Sequence, residues 1–129
     1  MFGSPSRYGS AQARYRDIDV AARVHSASPH GLVTIMFDEL LRAVDALRAA
    51  ERTVGRSQQS ATQARAVSIL HGLEAALDYQ RGGEIAANLG RIYSEGRRLI
   101  AIGGAARGGA LDQVRQMIGD IAGAWTEIA

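Results

Sequence analysis

The spacing of apolar residues predicts a long helix from residue 28 to about residue 53. Placed at 100° intervals, its apolar side chains gather into an arc of about 180°, which is wider than the stripe of an ordinary surface helix and predicts a central position. The Ser28 hydroxyl is placed to cap the first free N–H groups, and Pro29 suits the first helical position because its missing donor costs nothing there. The arc contains Leu32, Val33, Met36, Phe37, Leu40, Leu41, Val44 and Leu47.

Three further amphipathic segments follow. After a predicted loop at residues 55–59, a capping box of Ser60 and Gln63 is expected to open a helix over residues 60–78. Gly82-Gly83 breaks the chain before a helix at about residues 84–101, and a last helix is expected at about residues 110–128. The third helix is expected to bury Ile85, Leu89, Ile92, Gly96, Leu99 and Ile100, and the fourth Leu111, Val114, Ile118, Ile121, Trp125 and Ile128.

Four such helices with short connections predict an all-α fold, an antiparallel up-down four-helix bundle. Residues 1–13 are rich in glycine, serine and proline and lack periodicity, so they are predicted to form a flexible tail. Residues 14–24, which include Tyr15, fit either a short helix or an extended strap. The chain length of 129 residues suits one core, which predicts a single helical-bundle domain over residues 14–129.

Composition narrows the functional class. Cysteine is absent, every basic side chain is arginine, and the formal net charge is only +2. Acidic residues are interleaved with the arginines, which argues against a nucleic-acid surface. Apolar runs are far shorter than the roughly 20 residues of a membrane span, and no signal-peptide pattern precedes them, so no membrane insertion and a cytoplasmic location are expected.

No motif predicts catalysis. A di-iron bundle needs paired Glu-x-x-His motifs, whereas His71 and Glu74 occur once and in the reverse order. The glycine pairs Gly82-Gly83 and Gly103-Gly104 lack the Lys-Ser or Lys-Thr of a phosphate-binding loop and are interpreted as turns. We therefore expect no enzyme, no metal and no cofactor.

Apolar side chains outside the predicted core arcs suggest a partner surface. Ile35, Val67, Tyr79 and Ile102 lie off the arcs of their helices, and Tyr93 lies at an edge. Singly, exposed apolar residues are ordinary. Collected in grooves between helices, they would receive the amphipathic helix of a partner.

Several short motifs, taken in order, resemble one family, the flagellin export chaperones called FliS. They are Tyr15, Ala27-Ser28-Pro29, Met36-Phe37-Asp38, Gly82-Gly83-Glu84-Ile85-Ala86-Ala87-Asn88-Leu89, Tyr93 and Trp125, and they cover about residues 15–126. The pattern departs at Phe37-Asp38-Glu39, where Tyr-Asp-Gly is expected, and in the glycine-rich residues 103–109, where a polar connection is usual.

The resemblance implies a cytoplasmic chaperone that binds the disordered C-terminal segment of flagellin, prevents premature polymerisation and delivers it to the flagellar type III export apparatus. It also implies docking to an export-gate protein and contact with flagellar regulators. Tyr15 would be the strap tyrosine that shields the empty groove, and Asn88 and Tyr93 carry over as matches to the pattern. The resemblance and the apolar side chains outside the core arcs together predict seven partner-binding residues. They are Tyr15, Ile35, Val67, Tyr79, Asn88, Tyr93 and Ile102.

Two other hypotheses stay open at this point. The first is a non-catalytic helical regulatory module that self-associates through the same grooves, for example as a homodimer. The second is a bundle enzyme, which stoichiometric metal in the purified protein would revive.

Overall fold

A computed structural model describes the backbone of residues 4–50 and 56–128, and the side chains of residues 15–50 and 58–128. Within these ranges every regular element is helical and no strand occurs, as predicted. The elements are α1 Ser4–Ser26, α2 Pro29–Ala50, α3 Arg56–Ala75, α4 Tyr79–Ile100, a short 3-10 helix Gly104–Ala106, and α5 Arg107–Glu127.

The chain divides into two compact units, Met1–Ile35 and Met36–Ala129. In the first unit, α1 is helical from Ser4, which agrees with the helical alternative for residues 14–24. The mobility predicted for residues 1–13 stays a prediction, because a helical backbone does not report on motion; residues 1–3 lie outside the described part. The Oγ atom of Ser28 accepts a hydrogen bond from the Gly31 N–H at 3.0 Å, which confirms the predicted cap of α2.

In the second unit, α2 lies antiparallel to α3. The Gln59 amide nitrogen donates to the Ala50 carbonyl at 3.2 Å, and the Arg65 guanidinium lies 2.6 Å from the Glu39 carboxylate. Residue numbers rise along α2 as they fall along α3 in these two pairs, which fixes the opposite directions of the helices.

The remaining helix pairs of the bundle are α3 with α4, α4 with α5, and α2 with α5. α3 packs against α4, and α4 packs against α5. Between α2 and α5, Asp45 pairs with Arg115 at 2.9 Å and Arg48 pairs with Asp112 at 2.8 Å. These pairs show that α2 and α5 also run in opposite directions. With the short connections on both sides of α4, residues 36–50 and 56–128 form the predicted up-down bundle.

The core draws on all four helices of the bundle. Its largest fully buried side chains are Phe37, Leu40, Val44, Leu47, Leu70, Ile100, Leu111, Val114 and Ile118. This confirms the central position of α2 and the predicted buried stripe of α5 at Leu111, Val114 and Ile118. Two residues predicted to face the core are exposed, Leu32 at the start of α2 (38%) and Ile128 after the end of α5 (66%), because each lies at a helix end that the neighbouring helices do not cover. Near the end of α5, the Trp125 ring is half-buried and packs edge-on against the Phe37 ring, with 6.4 Å between the ring centroids.

One predicted helix start is wrong, and the predicted start at about residue 84 follows a real break but has an additional turn before it. α3 begins at Arg56, so Ser60 lies inside the helix and the capping box does not form its start; of the predicted loop at residues 55–59, residue 55 lies outside the described part. α4 begins at Tyr79 because the Asp78 carboxylate caps it, accepting hydrogen bonds from the N–H groups of Gln80 and Arg81 at 3.1 Å each. The chain break predicted at Gly82-Gly83 appears as a non-helical residue, Gly83, inside α4.

Candidate functional site

One side of α3 carries an open depression of about 470 Å³. The residues that line it recur every three or four positions along the helix: Ser60, Gln63, Ala64, Val67, Ser68 and His71. Val67, one of the predicted partner-binding residues, supplies the largest aliphatic side chain among them and is half-buried. A depression in which alanine and valine lie between polar side chains suits a partner residue with an apolar body.

The first turns of α4 present large apolar side chains to solvent. Tyr79 is 53% exposed and Ile85 is 71% exposed. Tyr79 agrees with the prediction that it lies off the core. The prediction that Ile85 faces the core is wrong, because the buried face of α4 runs through Ala86, Tyr93 and Ile100 instead.

Asn88 is exposed on α4, and its side-chain oxygen accepts a hydrogen bond from the Arg91 guanidinium one turn later. A side chain paired in this way presents a defined donor group at the surface. At the other end of α4, Ile102 is half-buried and its carbonyl accepts a hydrogen bond from Arg107 at 3.2 Å.

Two of the predicted contact residues are buried. Ile35, which the helical wheel places outside the core arc, is only 6% exposed. Tyr93 is 3% exposed, and burial raises the pKa of its phenol to about 12. These two side chains lie where they stabilise the protein by packing.

Tyr15 lies on α1, in the Met1–Ile35 unit, and is 76% exposed. Within the bundle unit, the predicted residues do not converge on one point. Tyr79 lies before a break of α4 at Gly83 and Ile102 follows the end of the helix, and the straight part between them, residues 84–100, extends over about 25 Å. A surface of this length suits an extended or helical segment of a partner better than a small ligand.

One buried charge was not predicted in the sequence analysis. Glu39 in α2 is 5% exposed, and its carboxylate lies 2.6 Å from Arg65 of α3 and 3.6 Å from Arg42. The available signal was its position, because Glu39 is an acid directly beside the apolar arc of α2. Its pairing with an arginine of the next helix in sequence fixes the register of α2 and α3.

The groups considered for metal chemistry have other surroundings. Glu74 forms an ion pair with Arg97 at 2.9 Å, and His71 is exposed on the depression of α3. Among the described residues, no three His, Asp or Glu side chains cluster as metal ligands would. None of the helices in the described ranges combines the length and the apolar character that crossing a membrane requires.

These features define an all-α helical-bundle protein with a long, partly apolar surface. Residues 11–129 match the family model described as flagellar protein FliS, and the chain belongs to this family. Its relatives include the flagellar secretion chaperone FliS of Salmonella typhimurium, which is 32% identical over 89% of this chain and 87% of its own length. The flagellar secretion chaperone FliS of Escherichia coli K12 is 33% identical over 88% of this chain and 85% of its own length. The flagellar secretion chaperone FliSB of Pseudomonas aeruginosa is 28% identical over 92% of this chain and 95% of its own length.

Proposed function

We propose that this protein is a cytoplasmic flagellar secretion chaperone. It binds the disordered C-terminal segment of flagellin, prevents premature polymerisation and delivers the bound flagellin to the flagellar type III export apparatus. The observation that carries the proposal is the family match over residues 11–129, supported by relatives that are themselves flagellar secretion chaperones.

The surface of the bundle supports a partner of this kind. Val67, Tyr79, Asn88 and Ile102 are exposed or half-buried and lie along α3, α4 and the connection that follows α4. We propose that these four residues and Tyr15 contact the partner directly. Ile35 and Tyr93 are buried, so we propose that they contribute by stabilising the fold and not by direct contact.

The physical reason for such a chaperone is the cost of ordering a disordered chain. A segment that folds only on binding spends part of its interaction energy on ordering, so it needs a large contact area. An elongated surface with separate apolar sites provides that area, and a bound helical segment hides its sticky face. Docking to an export-gate protein and contact with flagellar regulators are further parts of the same proposal.

Calorimetric titration with a flagellin C-terminal peptide tests the proposal, with circular dichroism to follow the helicity of the peptide. We expect saturable binding with a nanomolar-to-micromolar Kd and a gain of helix on binding. Val67→Glu should weaken binding, because it replaces the largest aliphatic side chain of the α3 depression with a charge. Ala61→Glu is the matched control, since Ala61 is exposed on the same helix and does not line that depression.

Light scattering separates this function from the alternative of self-association. A tight homodimer that excludes the peptide would favour a regulatory module and contradict the chaperone. A peptide that stays disordered at saturating chaperone concentration would count against the proposal equally.

A further inference from the structure

α4 is not one straight helix. Gly83 has φ 51° and ψ −124°, which separates a first turn from the rest of the helix. That turn is itself regular, because the Gly82 N–H donates to the Asp78 carbonyl at 2.8 Å. The break therefore reorients an intact helical turn that carries Tyr79.

The first turn is folded back onto α4. A Cβ atom on Gly90 would lie 2.8 Å from the Tyr79 hydroxyl oxygen, so the phenol occupies the space that a side chain at position 90 would need. In a straight helix, the eleven residues from 79 to 90 would span about 16 Å, which is beyond the reach of a tyrosine side chain. A Cβ on Gly82 would likewise lie 2.8 Å from the Ala86 Cβ, whereas regular helices separate such atoms by about 5–6 Å.

Two glycines permit this arrangement for different reasons. Gly83 has open space around it, so it is required for its positive φ, a conformation that side chains with a Cβ rarely adopt. Gly90 has no positive φ, so it is required for its missing side chain. The backbone conformation and the vacant space can thus be perturbed one at a time.

We propose that Gly83 and Gly90 are positioning residues that together present Tyr79 to the partner. Gly83 folds the first turn back, and Gly90 receives the phenol, with Leu77 beside it. Tyr79 is thereby held at the flank of α4 with 53% of its surface exposed. This inference rests on the proposed function, since the partner is the C-terminal segment of flagellin.

The chemistry of a held tyrosine suits this partner. Its ring offers apolar contact area, its hydroxyl offers a hydrogen bond, and only two side-chain torsions have to be ordered. Holding the ring in place before binding lowers the entropy cost of association. Aromatic anchors of this kind are frequent among the residues that dominate binding energy.

The test compares three variants by calorimetry with the flagellin C-terminal peptide. Tyr79→Ala removes the aromatic side chain, and Gly83→Ala disfavours the positive φ that folds the first turn back. Gly90→Leu fills the space beside residue 90 that the Tyr79 phenol occupies. Each is expected to raise the Kd about tenfold, as the loss of an aromatic anchor does. Because all three act through Tyr79, adding Gly90→Leu to Tyr79→Ala should weaken binding no further.

Two glycine variants serve as matched controls. Gly123 lies in α5 with open space around it, so Gly123→Leu should leave the Kd within about twofold of the wild type, as an independent site does. Gly104 also has a positive φ, 66°, and open space around it, but it lies two residues after Ile102. Gly104→Ala is therefore the control for folding and for the position of Tyr79, and not for the Kd. Melting followed by circular dichroism identifies any variant that fails to fold, and the milder Gly90→Ala then replaces Gly90→Leu.

A nuclear Overhauser effect between the Tyr79 ring protons and the Gly90 α-protons tests the positioning without any partner. It should be present in the wild type and both controls, and lost in Gly83→Ala and Gly90→Leu. Its absence from the wild type would overturn the proposed positioning. If the wild type binds the peptide, an unchanged Kd in Tyr79→Ala would overturn the inference and leave the proposed function intact. A Kd raised in Tyr79→Ala but unchanged in folded Gly83→Ala and Gly90→Leu would do the same. A wild type that binds no peptide would overturn the proposed function and the binding role of Tyr79 together, while the Overhauser effect would still decide the geometry.

Discussion

Alkaline pH should destabilise this protein through one residue, Tyr93. Its side chain is 3% exposed on α4, and burial raises the pKa of its phenol to about 12. In the unfolded chain the same group titrates near 10. The sequence contains no lysine and no cysteine, so tyrosines are the only side chains expected to titrate between about pH 9.5 and pH 12.

The size and sign of the effect follow from this difference in pKa. Below pH 10 the phenol is neutral in both states, and the contribution of Tyr93 to stability is fully present. Between pH 10 and pH 12 the unfolded chain loses the proton while the folded protein keeps it, so the stability falls as the pH rises. A difference of about two pKa units corresponds to roughly 2–3 kcal/mol in total, of which about 1.4 kcal/mol should be lost by pH 11.

Urea unfolding followed by circular dichroism at pH 9 and pH 11 measures this loss. The wild type should lose about 1.4 kcal/mol of unfolding free energy between the two values, and Tyr93→Phe should lose much less because it has no phenol to ionise. Tyr79→Phe, in which the half-exposed tyrosine is removed instead, should fall like the wild type. An equally steep fall in Tyr93→Phe would refute the reasoning.

Three further predictions concern stability and the first unit. Arg65→Ala should destabilise the protein by about 1–3 kcal/mol in urea unfolding, because it leaves the buried Glu39 carboxylate with a weaker partner; a loss no larger than that of the exposed-pair variant Arg48→Ala would contradict this. Trp125→Ala should cost about 1.5–3 kcal/mol, less than a fully buried ring, since Trp125 is half-buried against Phe37; an unchanged stability would place the ring outside the core. Deletion of residues 1–24 should leave the melting of the bundle intact and change the affinity for flagellin, and a collapsed melting transition would show that these residues belong to the core.

The helical periodicity of the sequence was sufficient to predict the bundle. The wide arc of α2 and the regular spacing of α5 specify buried faces, and residues such as Leu40, Val44, Val114 and Ile118 are fully buried accordingly. The cap at Ser28 was predictable because the side chain and the N–H it accepts are three residues apart. Both features can be predicted because the residues that determine them lie within a few positions of each other in the sequence.

Helix starts were less predictable where two local signals compete. Ser60 and Gln63 have the spacing of a capping box, yet α3 continues four residues further towards its N-terminus. Asp78 was assigned to the end of one helix, yet its carboxylate caps the next. Local spacing alone does not decide such cases, because packing of the whole helix outweighs one cap.

The candidate site depended on contacts that periodicity cannot describe. The ion pair of Glu39 with Arg65 joins residues 26 positions apart, and the placement of Tyr79 beside Gly90 requires a break whose direction the sequence does not reveal. Ile35 and Ile85 were misplaced for a related reason. The helical wheel gives the angle between side chains, whereas neighbouring helices decide which angle is covered.

The most direct test of the proposed function is calorimetric titration of the intact protein with the C-terminal segment of flagellin from its own organism, with an N-terminal flagellin segment as the control. We predict selective, saturable binding of the C-terminal segment with a negative heat-capacity change, as expected when a disordered chain buries apolar surface. Absence of binding, or equal binding of both segments, would contradict the assignment of this bundle as a chaperone for the flagellin C-terminus.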